Sequence, residues 1–88
     1  MASKTVIVGS AVGLHARPAA LIAEAAEKYD DEILLSVAGG EEDPVDAASS
    51  LLIMTLGAEK GATVVVESEN ADAVEEIAGL IERDLDAD

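Results

Sequence analysis

The apolar residues of this chain change period several times within 88 positions, and that change restricts it to a mixed fold of strands and helices. Residues 5–8, Thr-Val-Ile-Val, are β-branched and end at Gly9, which predicts a short strand followed by a loop through Gly13. From Pro18 the residues Ala19, Ile22, Ala23, Ala26 and Tyr29 recur at helical spacing, with Glu24, Glu27 and Lys28 falling between them. An amphipathic helix is expected there, ending at the acidic turn Asp30-Asp31. Residues 33–37 read as a second strand, after which Gly39-Gly40 turns the chain toward a weak third strand ending near Pro44. A short apolar helix over 50–56 stops at Gly57, and 63–67 is a strong strand preceded by the turn Lys60-Gly61. Asn70 is placed to cap a closing helix, with Asp72 and Glu75 near its positive end and Val74, Ile77, Ile81 and Leu85 in one stripe. The order βαββαβα suits a two-layer α/β sandwich, an antiparallel sheet with helices on one face.

No repeat, linker or low-complexity stretch divides the chain, so residues 1–88 are read as one domain that buries little more than half of its unfolded surface. Half of the residues are apolar, yet Tyr29 is the only aromatic, so Val, Ile, Leu and Ala must fill the interior and no cofactor cage is expected. The absence of cysteine excludes disulfides, thiolate catalysis and cysteine metal sites. The first residues hold too short an apolar run for a signal peptide or a membrane span, so a cytoplasmic protein without membrane insertion is expected. With 19 acidic and 5 basic residues the formal charge is −14, which argues against nucleic acid as a partner. The acids cluster between apolar segments, as on a solvated surface. A halophilic adaptation, to a cytoplasm rich in salt, would let screening tolerate their repulsion.

His15 is the only histidine and sits in Gly13-Leu14-His15-Ala16-Arg17-Pro18-Ala19-Ala20. A lone histidine in a small domain usually belongs to the surface or the core; its setting here says otherwise. Pro18 fits the first turn of a helix, because its φ is already helical and its missing N–H would have had no partner. His15 therefore precedes a helix start, where free N–H groups and the dipole favour an anion. A neutral imidazole offers a lone pair to an electrophilic phosphorus without a separate base. The product adds up to about two negative charges to an acidic protein, and Arg17 with the helix end at Ala16 and Pro18 would offset them. Taken singly, Arg17 reads as surface solubility and Pro18 as helix initiation, and it is their joint placement that singles out His15.

The segment from Gly13 to Ala20 resembles the active-site motif of HPr, the histidine-containing phosphocarrier family of the bacterial-type phosphotransferase system. Lys28-Tyr29, Met54-Thr55-Leu56-Gly57, Lys60-Gly61 and the closing helix match the family at the expected intervals, so the resemblance spans the chain. It implies an open-faced sandwich, an antiparallel four-stranded sheet of order 1-4-2-3 with three helices on one face. It also implies that His15 accepts phosphate from phosphorylated Enzyme I and donates it to a sugar-specific IIA domain, as in sugar transport. The family's regulatory serine, a substrate of a serine kinase, falls at Ser49, whose plainer reading is a helix N-cap in competition with Asp46. Ser50, polar where the family is usually apolar, and a long acidic loop over 39–46 depart from the pattern. Leu51, Leu52 and Met54 would contribute to the docking face for partners, with at least one of them serving the helix core.

Other classes fit less well. A regulatory binding module of the same fold, nitrogen-related or otherwise outside transport, has no need of the intact His15-Ala16-Arg17-Pro18. A metal-dependent hydrolase lacks ligands, since one histidine and carboxylates without EF-hand spacing remain, and no metal is expected. A serine nucleophile lacks a second histidine as its base.

Overall fold

The computed structural model describes residues 2–9, 13–14, 16–40 and 43–83. In chain order these form β1 (Ala2–Ile7), α1 (Ala16–Ala26), β2 (Ile33–Val37), β3 (Val45–Asp46), α2 (Ser50–Thr55), β4 (Thr63–Ser68) and α3 (Ala71–Glu82). The strands make one antiparallel sheet of order β1-β4-β2-β3, the topology expected.

The register explains which face is covered. Val6 lies opposite Val64, and Leu35 and Val66 are partners, as are Ile33 and Ser68. Alternation then puts Val6, Ile33, Leu35, Val64 and Val66 on one side, where all are buried. The other side, with Ser3, Thr5, Ile7, Leu34 and Val65, remains half-buried or exposed. The helices meet the buried side with Ala19 and Ile22 of α1, Ile53 of α2, and Val74, Ile77 and Ile81 of α3. The core is aliphatic throughout, and Tyr29 only packs against its edge.

Several local expectations change. β3 begins after Pro44 instead of ending there, because proline has no N–H to give the ladder and pairing resumes only at Val45, opposite Leu35. β1 starts at Ala2, since pairing with Ser68, Glu67 and Val66 carries Ala2, Ser3 and Lys4 into the sheet despite their weak strand propensity. Tyr29 lies beyond the end of α1, where its N–H donates to Ala26 O at 3.1 Å and its hydroxyl to Glu76 Oε1 at 2.5 Å. Glu75 serves β1 and not the start of α3: it accepts from Lys4 Nζ at 3.0 Å, leaving Asp72 as the acid of the first turn. Leu85 lies outside the described residues. Asn70 caps α3 as expected, its Oδ1 accepting from the N–H groups of Asp72 and Ala73 at 3.0 and 3.2 Å. No described helix is long and apolar enough to cross a membrane.

Candidate functional site

α1 begins at Ala16, directly after position 15; His15 itself lies outside the described residues. Ala16 and Arg17 are exposed, whereas Pro18 is fully buried in the first turn, where its missing N–H costs nothing. The chain on either side of position 15 is therefore fixed. Pro18 and Ala19 anchor the helix, and Leu14, 3% exposed, anchors the preceding side with its N–H donating to Ala58 O at 2.9 Å. Leu14 is a buried anchor beside position 15 that the sequence reading missed. The signal for it is the neighbouring Gly13, whose φ of +74° suits glycine and whose missing Cβ would lie 2.4 Å from Ala58 O.

Gly9 and Gly13 both act by close packing. Gly13 is buried against Ala58 and Glu59. A Cβ on Gly9 would stand 1.8 Å from Glu82 O, and the Gly9 N–H donates to Ile81 O at 3.0 Å, so the loop is sewn to the end of α3.

Ser49 is the N-cap of α2, with its Oγ accepting from the Leu52 N–H at 3.3 Å. Asp46 does not take that role. Its Oδ1 accepts from the Ala48 N–H at 2.9 Å and its carbonyl from the Ser49 N–H at 3.1 Å, so it shapes the turn leading into the cap. α1 and α2 pack against each other, which puts Ala16, Arg17 and Pro18 on a helix adjoining the one capped by Ser49. On α2, Ile53 enters the core, Met54 packs partly against it, and Leu51 and Leu52 are 72% and 42% exposed.

Electrostatics set these two helix starts apart. The first turns of α1 and α2 carry no acid, although the chain has 19, whereas α3 has Asp72. The head of α1 thus keeps the positive end of its dipole without an acid in the first turn, and the charge of Arg17 adds to it. Among the described residues no group of three or more His, Cys, Asp or Glu is arranged to hold a metal ion. A hollow of about 310 Å³ lined by Glu27, Asp30, Asp31, Glu32 and Asp46 adjoins the opposite end of α1, away from this chemistry.

Comparison with known proteins gives a consistent result. Residues 2–83 match the family described as "PTS HPr component phosphorylation site". The phosphocarrier protein HPr of Streptomyces coelicolor is 40% identical over 89 residues, covering 98% of this chain and 94% of the relative. The crystal structure of HPr-C-His from Thermoanaerobacter tengcongensis superimposes with a TM-score of 0.86 at 31% identity, covering 100% of this chain and 99% of that one. A phosphocarrier protein HPr from Bacillus anthracis gives 0.80 at 30% identity, covering 91% and 95%. The chain belongs to the HPr family of phosphocarrier proteins of the phosphotransferase system.

Proposed function

We propose that this protein accepts a phosphoryl group on a ring nitrogen of His15 from phosphorylated Enzyme I and passes it to a sugar-specific IIA domain. It acts in the cytoplasm as one domain over residues 1–88, and stoichiometrically, without a metal or cofactor. As the nitrogen–phosphorus bond forms, the donor's bond to the same phosphorus breaks; transfer onward reverses the sequence at the next acceptor. The observation that carries the reading is the motif His15-Ala16-Arg17-Pro18 at the head of a helix whose first turn is free of acid. Arg17 and the amide groups of that turn would offset the added charge. Modification of Ser49 by a serine kinase would place phosphate at the cap of α2 and slow transfer from Enzyme I.

The test is incubation with Enzyme I and labelled phosphoenolpyruvate, followed by addition of IIA domains. One label per chain is expected, acid-labile and alkali-stable as a phosphorus–nitrogen bond requires, with none on His15→Ala. Full labelling of that variant would remove the carrier reading.

A further inference from the structure

We infer that Gly61 is a positioning residue for His15: the turn it forms holds both ends of the loop leading into His15, and phosphoryl transfer depends on that turn. This rests on the phosphocarrier reading. The Ala62 N–H donates to Glu59 O at 2.9 Å, which closes a β-turn over residues 59–62 with Gly61 third. The φ of Gly61 is +89°, the positive value that the third residue of a type II turn requires. Nothing lies within 4 Å of where a Cβ on Gly61 would stand, so its backbone angle, and not lack of space, calls for glycine.

The turn and the residues beside it meet the loop twice. Where the loop leaves β1, the Gly61 N–H donates to Val8 O at 3.0 Å and the Val8 N–H to Ala62 O at 2.9 Å. Beside position 15, the Leu14 N–H donates to Ala58 O at 2.9 Å, and a Cβ on Gly13 would lie 2.8 Å from Glu59 Cα. Val8 and Leu14 are buried in the core, so they cannot follow a displaced turn without disturbing their packing. A side chain at position 61 favours negative φ, which would swing the Gly61 N–H off Val8 and press residues 58–59 against Gly13 and Leu14. The imidazole would then meet the donor phosphorus out of line, and a misplacement of about 1 Å can cost on the order of a hundredfold in rate.

Gly39 supplies the control. The Gly40 N–H donates to Val37 O at 3.0 Å and closes a turn in which Gly39 is likewise third, with a φ of +77° and nothing within 4 Å of an added Cβ. Its neighbour Ala38 donates to Thr63 O at 2.9 Å, and among the described residues that turn makes no backbone hydrogen bond to Val8 or Leu14.

The experiment follows phosphoryl transfer from Enzyme I to the unaltered chain, Gly61→Ala, Gly61→Asn and Gly39→Ala, each over a range of concentrations. Circular dichroism gives every thermal midpoint, and transfer is read well below the lowest. The two alanine variants should lose similar stability, because each forces a positive φ on a side chain. Gly61→Ala should lower the rate at saturation about tenfold with KM changed by less than about threefold, while Gly39→Ala keeps both within about twofold. Gly61→Asn should recover most of the lost rate, since asparagine tolerates positive φ best among the side chains. Hydrogen exchange at the Leu14 amide should quicken in Gly61→Ala and not in Gly39→Ala. Equal slowing of transfer by the two alanine variants would show a general loss of stability and overturn the inference. So would a Gly61→Ala whose rate at saturation is unchanged. Failure of the carrier reading looks different: no label on His15 of the unaltered chain at any concentration, which withdraws both together.

Discussion

At the scale of single residues, Arg17 and the two loop glycines separate chemistry from architecture. Arg17 is exposed on the first turn of α1, outside the aliphatic core, so Arg17→Ala should leave the thermal midpoint nearly unchanged. It should slow phosphoryl transfer tenfold or more, about 1.4 kcal/mol or above, measured by single-turnover labelling from Enzyme I. Equal rates would take Arg17 out of the site. Gly9→Ala should do the reverse. Its Cβ would meet the backbone of Glu82 and Arg83, so either the loop or the end of α3 must move. A loss of about 1–3 kcal/mol in denaturant unfolding is expected, the usual range for an overpacked position. The motif around His15 was legible because proline, arginine and histidine each have a strong local reason to stand where they do. Leu14 and the close approach of Gly9 and Gly13 were not, because their partners, Ala58 and Glu82, lie 44 or more positions away in the chain.

At the scale of elements, the helices were read from period and caps, and the errors fall where partners distant in sequence take over. Ala19, Ile22, Ala23 and Ala26 fixed the buried stripe of α1, and all are buried. Tyr29 kept the period but not the helix, because its hydroxyl is drawn to Glu76 of α3. β3 was expected but placed too early, ending near Pro44, since its two residues pair only because β2 lies beside them. Asn70 shows how a cap joins elements. Besides receiving two N–H groups, its Nδ2 donates to Asp31 Oδ2 at 3.0 Å and ties α3 to the turn after α1. Asn70→Ala should cost about 1–2 kcal/mol, lowering the midpoint by several degrees, whereas Asn70→Ser should recover much of that loss. Two further ties respond to alkali. The hydrogen bond to Glu75, then its charge, raises the Lys4 pKa; the hydrogen bond to Glu76, then desolvation and that carboxylate's charge, raises that of Tyr29. Both groups hold their proton more firmly when folded, so these ties are complete below the ordinary pKa of about 10 and weaken as pH rises past it. Tyr29→Phe should therefore reduce the loss of thermal midpoint between pH 9 and 11, and an unchanged slope would remove Tyr29 from that titration.

At the scale of the whole molecule, the chain carries a formal charge of −14 on a body of 29 × 29 × 20 Å, a high density of like charge. Among the described residues, Lys4 with Glu75 and Lys28 with Glu76 join α3 to β1 and to the end of α1, both at accessible positions where such pairs contribute little. With 19 acidic against 5 basic residues, most carboxylates have no cation to offset them, and the aliphatic core holds the fold against their repulsion. At ~0.01 M salt the screening length is ~30 Å, the breadth of the domain, and nearly all carboxylate pairs repel; at ~1 M it is ~3 Å and only neighbours do. Because the folded state brings the charges closest, its stability should rise with salt. Screening is nearly complete by about 1 M, so a continued gain in multi-molar potassium chloride would come from strengthened apolar burial or hydration of the carboxylates. Circular dichroism should show a midpoint climbing steeply up to about 1 M and more gently beyond. A sodium sulfate series would test the second slope, since an excluded salt acts on apolar burial more strongly than chloride does. A midpoint that is flat or falls between ~0.01 and ~1 M would show that the acidic surface is not a source of strain, and would withdraw adaptation to a salt-rich cytoplasm as the reason for it.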